Sequence, residues 1–269
     1  MERIYDIIIW GASGFTGRLV VDYIEHHQKQ SNLTWAVAGR NESKIKQILS
    51  GRDIPIILAD SHDKESLVEL VKKTKVILTT VGPYARYGSE LVEACAENGT
   101  HYCDLTGEVH WMRQMISQYN SAAKDSGARI VHTCGFDSIP SDIGVYFLQK
   151  EMNARHGVNA KHIKYRTRGF SGGASGGTVD SLMSMMEQAK EDPSILKIIS
   201  NPYALNDKEK GQDGPDKMLP FYDNDFDAWV GPFIMAGINT RVVRRTNELL
   251  NNIYGKDFCY DEGSITGKG

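Results

Sequence analysis

Through its first half the chain alternates short apolar runs with amphipathic stretches. The runs Tyr5–Trp10, Thr34–Ala38, Ile54–Ala59, Val76–Thr80, His101–Asp104 and Ala128–Thr133 read as strands, and helices are predicted between them from near Gly14, Glu42, Lys64, Gly88 and His110. Most of these strands are continuous apolar runs rather than alternating ones, which suits a parallel sheet covered on both faces. Six such strands with helical crossovers predict an α/β fold of Rossmann type, a doubly wound parallel sheet.

After Pro140 the rhythm changes. Ser141–Met152 reads as a helix with Ser141 as its N-cap. Ile163–Phe170 alternates like a strand, and a segment with Gly169, Gly172, Gly173, Gly176 and Gly177 leads into a helix over Thr178–Lys190. That many glycines fit either a lid or backbone anion site, or an irregular bend between strand and helix. The polar stretch 206–217 reads as a mobile loop. The division expected is a nucleotide-binding domain over 1–140 and a second α/β (α+β) domain over 141–269.

The strongest motif is Gly11-Ala12-Ser13-Gly14-Phe15-Thr16-Gly17, which follows a strand and opens a helix. Gly11 permits the tight turn, Gly14 lets the backbone approach a pyrophosphate, and Gly17 lets the helix pack close to the sheet. Ser13, Phe15 and Thr16 fall in the same turn, where free N–H groups and the helix dipole favour phosphate. The second strand ends in Ala38-Gly39-Arg40-Asn41, with Lys44 one turn on. An NAD site places an acidic residue near this point; a guanidinium instead pairs with a 2′-phosphate, so NADP(H) is the expected cofactor. A solvated arginine at a helix cap is the alternative. Asp60 is a candidate for the adenine edge or for a local turn. Val81-Gly82-Pro83-Tyr84 ends the fourth strand, where the turn lies beside the cofactor and Tyr84 either faces the nicotinamide or packs inward.

Candidate catalytic residues are Tyr84, Asp104, Glu108 and Asp137. Asp104 and Glu108 bracket a Thr-Gly turn after the fifth strand and are suited to holding a substrate amine or relaying a proton; the competing reading is a helix cap for Asp104 and solvent exposure for Glu108. Asp137 and Ser138 follow the sixth strand and shape a hinge near the nicotinamide amide. Asp142 suits the first turn of a helix. Arg241, Arg244 and Arg245 form either an anion site or a charged face.

Composition narrows the class. Apolar residues make up 41% and charged residues 24%, with a net charge of -3, so nothing draws the chain to nucleic acid or anionic lipid. Cys95, Cys103, Cys134 and Cys259 show no CxxC spacing, which argues against a metal site or a disulfide framework. No apolar run is long enough to span a bilayer, and the charged start reads as no signal peptide, so a cytoplasmic protein is expected.

The set GASGFTG, AGR, VGPY, CDLTGE (Cys103–Glu108) and GFDSIPSD (Gly135–Asp142), followed by the segment from Gly231 to Arg245, resembles the saccharopine dehydrogenase-like oxidoreductases, which include trans-acting enoyl reductases of lipid synthesis. The resemblance runs from Ile7 to about Tyr260. It implies an NADP-binding domain followed by a substrate or dimerisation domain that is short relative to the family. It also implies hydride transfer to an activated C=C bond of a lipid or polyketide precursor, or to a C=N bond. Such a substrate is compatible with contact at a membrane surface, and such a domain with a homodimer. Two other readings stand beside it. Tyr146 and Lys150 match the Tyr-x-x-x-Lys pair of short-chain dehydrogenases, which act on carbonyls, and a non-catalytic NADPH-binding scaffold requires no substrate site at all.

Overall fold

The computed structural model describes residues 3–28, 32–169, 176–208 and 210–267. The first unit holds β1 (Tyr5–Trp10), α1 (Phe15–Gln28), β2 (Trp35–Gly39), α2 (Glu42–Leu49), β3 (Ile56–Leu58), α3 (Lys64–Val71), β4 (Thr74–Thr79), α4 (Tyr84–Tyr87), α5 (Ser89–Glu97), β5 (His101–Cys103), α6 (Val109–Ser126) and β6 (Ile130–Val131). The strands form one parallel sheet in the order β3-β2-β1-β4-β5-β6. The order reverses between β1 and β4, which opens the crevice where ligands lie in such folds. Ile8, Ile9, Ala36, Val37, Ala38 and Ile77 are fully buried, as the continuous apolar runs predict. Helices α1 and α2 cover one face of the sheet, with Val21 and Ile24 of α1 and Ile45 and Leu49 of α2 packed with Ile9, Trp35 and Val37.

The chain leaves this unit at Cys134, rejoins it in α8 (Gly176–Glu191) and leaves again at Ser184. The unit boundary therefore precedes Pro140. That proline lies in the first turn of α7 (Ile139–His156), where its missing N–H is one the helix leaves unbonded anyway. Ser138, not Ser141, is the N-cap, and Ser141 is buried inside the first turn. Asp142 sits in that first turn as expected.

The second unit adds β7 (His162–Thr167), α9 (Ser194–Ser200), β8 (Phe221–Asp223), β9 (Ala228–Gly231), α10 (Ala236–Leu249) and β10 (Cys259–Gly267) to α7 and the rest of α8. Its sheet is mixed, in the order β7-β10-β9-β8, with β10 parallel to β7 and antiparallel to β9. Val145 of α7 and Val243 of α10 pack with Ile163, Tyr254, Phe258 and Tyr260 as its core. A polar cluster is buried beside that core. Glu262 accepts from Tyr260 Oη at 2.7 Å and from Asn239 Nδ2 at 3.0 Å, and Asn239 also bonds Ser138 and Ser141.

Burial pushes the Glu262 carboxyl up, against the pull of Ser141, Tyr260 and Asn239. The native state thus keeps this proton at a pH where the unfolded chain has lost it, so stability falls as pH rises through and above the ordinary carboxylate range. The urea midpoint of this unit is expected to drop as pH rises above the ordinary carboxylate range, and Glu262→Gln to flatten that slope. A slope identical in the variant would assign the dependence to other groups.

Candidate functional site

The glycine turn has the geometry its spacing predicts. Gly11 lies at φ +92°, and a Cβ there would meet the Val81 side chain at 2.5 Å. A Cβ on Gly17 would stand 2.1 Å from the Gly11 carbonyl oxygen, so only glycine lets α1 start this close to β1. Gly14 is different: its nearest neighbour is the Gly11 oxygen at 3.4 Å, so its outward face is open. Ser13, Phe15 and Thr16 line the same turn, and Phe15 is exposed.

Arg40 follows β2 directly. It is exposed and has no hydrogen-bond or ion-pair partner among the described residues. Asn41 caps α2 by accepting from the Lys44 N–H at 2.9 Å, which leaves the Lys44 side chain exposed one turn beyond Arg40. An unpaired guanidinium at the exit of β2, beside a turn that tolerates no side chain at Gly17, fits a dinucleotide with an extra phosphate. Asp60 adopts the local turn, its Oδ1 accepting from His62 N at 3.0 Å.

Around the exits of β4, β5 and β6 the structure brings together three of the four catalytic candidates and shows them tied inward. Tyr84 is buried, its hydroxyl donates to the Thr79 carbonyl at 3.3 Å, and its ring leans on Trp111. The inward-packed alternative describes it, and burial, with Asp104 nearby, pushes its hydroxyl far above the ordinary tyrosine range. Glu108 is buried, not exposed. Its Oε1 accepts from Tyr84 N at 2.8 Å and from Ser181 Oγ at 3.0 Å, and its Oε2 accepts from Ala85 N at 2.9 Å. Pro83, the N-cap of α4, has no side-chain cap of its own, so Glu108 supplies the cap from a different loop and fixes the Val81-Gly82-Pro83 turn.

Asp104 joins two strand exits. Its Oδ1 accepts from Thr106 N at 3.0 Å and from Thr133 N at 2.9 Å; its Oδ2 accepts from Tyr102 Oη at 2.9 Å and from His132 Nδ1 at 2.7 Å. His132 has no place among the sequence-derived candidates. Its only signal is a histidine at the end of one strand and an aspartate at the end of another, and the sequence does not say that the two strands are neighbours.

The remaining candidates lie in the second unit. Asp137 is exposed, and its carbonyl accepts from Asn239 Nδ2 at 2.9 Å. Arg241 and Arg244 are buried and are neither an anion site nor a charged face. Arg241 pairs with Asp216 and donates to Ile199 O; Arg244 pairs with Asp213 at 2.6 Å and donates to Pro202 O and Tyr260 O. Arg245 donates to Leu205 O. The stretch 206–217, expected as a free loop, thus supplies through Asp213 and Asp216 the acids that neutralise two buried guanidinium groups. Tyr146 and Lys150 lie on α7, in the second unit rather than on the nucleotide-binding sheet. Gly172 and Gly173, and with them the lid reading, lie outside the described residues.

Among the described residues there is no group of side chains that would hold a metal ion, and no helix is long and apolar enough to cross a membrane. Residues 7–131 match the family model described as the saccharopine dehydrogenase NADP binding domain. A Mycobacterium tuberculosis protein named as a candidate trans-acting enoyl reductase is 38% identical, over 98% of this chain and 66% of that protein. The trans-acting enoyl reductase of Mycobacterium ulcerans is 35% identical, over 99% of this chain and 67% of its own length. The chain therefore spans about two thirds of the length of these relatives. Among solved structures, saccharopine dehydrogenase (L-Glu forming) of Saccharomyces cerevisiae matches 61% of this chain and 34% of its own, at 14% identity and a TM-score of 0.43.

Proposed function

This chain belongs to the saccharopine dehydrogenase-like oxidoreductases, whose nucleotide unit binds NADP, and from that premise we propose that it reduces an activated C=C bond of an acyl substrate. The observation that carries the NADP-dependent part of the reading is Arg40, an exposed cation with no partner among the described residues, at the exit of the strand next to the glycine turn. In this reading NADPH supplies the hydride. The chain's own residues do the positioning. The turn Gly11–Gly17 would receive the pyrophosphate on backbone N–H groups, Arg40 and Lys44 would hold the 2′-phosphate, and Asp60 would serve the adenosine side. Val81, Gly82 and Pro83, fixed from behind by Glu108, form the wall beside the nicotinamide. The enoyl class is taken from what the relatives are named for, and the second unit is assigned to the substrate side.

Arg40→Ala is expected to weaken NADPH by about 1.5–3 kcal/mol, roughly 10- to 150-fold in Kd, and to leave NADH binding unchanged. Calorimetry with both reduced dinucleotides checks this. Equal losses for the two would show that Arg40 does not read the extra phosphate, and tight NADPH binding with no hydride transfer to any enoyl thioester would favour a scaffold.

A further inference from the structure

Resting on the NADP-dependent reading above, we propose that His132, held by the Asp104 carboxylate, is the acid that delivers the proton completing the reduction. The case begins with the backbone. After β6 the chain turns at Thr133, a buried residue at φ +58°. A β-branched residue in the left-handed region is a costly conformation that persists only where its surroundings fix it. Here they do: Thr133 N donates to Asp104 Oδ1 at 2.9 Å and Cys134 N donates to the Asp104 carbonyl at 2.7 Å. The strained turn and the aspartate together aim the residue before them.

That residue is His132. Its Nδ1 lies 2.7 Å from Asp104 Oδ2, a side chain with no exposure, and its ring meets Trp111 edge-on at 5.0 Å and Tyr102 at 5.8 Å. Asp104 receives four donors and therefore acts as an acceptor throughout. A carboxylate on Nδ1 fixes the proton on that nitrogen and turns Nε2 outward as the working atom. No described residue bonds Nε2, and the side chain keeps 10% of its surface.

The neighbouring groups cannot take the role. Burial pushes Tyr84 and Tyr102 far up, and it pushes Cys103 up to about 11 and Cys134 up to about 12, so all four stay protonated in neutral solution. Glu108 has both oxygens committed to Tyr84, Ala85 and Ser181. His132, by contrast, combines an Nδ1 held by Asp104 with an Nε2 that no described residue bonds and a side chain that keeps some exposure, the arrangement a positioned general acid needs.

Position agrees with chemistry. A dinucleotide with its 2′-phosphate at the exit of β2 and its pyrophosphate at the turn after β1 would cross the switch point between β1 and β4. Its nicotinamide end would then face the half of the edge that carries His132. As hydride reaches the β-carbon of the enoyl group, the electron pair of the double bond moves to the α-carbon. That carbon takes the proton from Nε2 of the imidazolium. The products are the saturated acyl group, NADP+ and neutral imidazole, which regains its proton from water.

The test uses the full chain. In 15N-histidine-labelled protein the His132 Nδ1 is expected to stay protonated while Nε2 carries the exchangeable proton, and the Nε2 resonance to move when NADP+ is added; a neutral ring protonated on Nε2 instead of Nδ1, or a signal indifferent to bound NADP+, overturns the proposal. His132→Asn keeps a donor to Asp104 and removes the acid. It is expected to keep the wild-type melting temperature and NADPH affinity while turnover of a 2-enoyl pantetheine thioester falls on the order of 10²- to 10⁴-fold, with loss of the alkaline limb of the pH profile. Wild-type turnover and pH profile in this variant overturn the proposal and leave the NADPH reading intact. Wild-type protein that binds NADPH but reduces no enoyl thioester removes the substrate class, and the Nε2 response alone then decides the role of His132. No heat with NADPH overturns both.

Discussion

Gly17→Ala is expected to cost the first unit its folded state, while Gly14→Ala should leave the fold intact and remove the cofactor. The two glycines are three positions apart in one turn, and the sequence treats them alike. The geometry does not. A methyl on Gly17 would lie 2.1 Å from the Gly11 oxygen and 2.9 Å from the Ala12 Cα, both backbone atoms, so α1 must move off β1 to admit it. Overpacking of this kind costs typically about 1–3 kcal/mol where side chains can yield, and more where only backbone can. That is a large part of the roughly 5–15 kcal/mol that holds a domain folded. A methyl on Gly14 meets nothing nearer than 3.4 Å and enters only the face a pyrophosphate approaches. Melting by circular dichroism and NADPH calorimetry on both variants separate the effects. Equal melting temperatures would mean that α1 does not depend on the missing side chain at Gly17.

The second large effect belongs to the mixed sheet. Asp223 lies at the end of β8, with its Oδ2 on Arg166 Nε at 3.1 Å and Nη2 at 2.7 Å, and its Oδ1 on Lys164 Nζ at 3.0 Å. Both side chains of the Arg166–Asp223 pair are 1% exposed. Burial pushes the Asp223 carboxyl up, but the bonds from Arg166 and Lys164 more than offset it and hold it at about 2. Asp223→Ala would leave the guanidinium buried with only Asp261 opposite it. Breaking a buried pair from one side costs about 3–5 kcal/mol, which is expected to lower the urea midpoint sharply. The pH dependence has a definite sign. A depressed carboxyl stabilises the native state above its ordinary range, and that contribution is lost as pH falls through about 4 toward 2. Wild-type protein should therefore lose stability more steeply in acid than Asp223→Ala. A variant within about 1 kcal/mol of wild type would mean that Asp261 alone satisfies Arg166.

These results bear on what the sequence can carry. The parallel sheet was readable because its central strands are buried on both faces, and β1 falls on the predicted residues without adjustment. The apolar run Ala128–Thr133 predicts a longer sixth strand than the one that forms, Ile130–Val131. The reason is local: Arg129 N turns to His101 Nδ1 and Thr133 N to Asp104, so both ends leave the ladder for side-chain partners that no propensity reports. The arginines of α10 were legible as charges but not as buried ones, because the acids that neutralise them come from a stretch whose composition says loop. Glu108 shows the same limit. Its role depends on two backbone N–H groups more than twenty residues upstream, which have no identity in a sequence.

The excursion of α8 sets the terms for anyone who would recombine this protein. A gene fragment ending at Cys134 would encode all six strands of the nucleotide sheet, yet it would strip Glu108 of the Ser181 hydroxyl that the later segment returns to it. Chimeras between relatives therefore need paired junctions, so that the donor of the sheet also donates the piece ending at Ser184. A single crossover after the sixth strand would join a carboxylate from one ancestor to a helix from another.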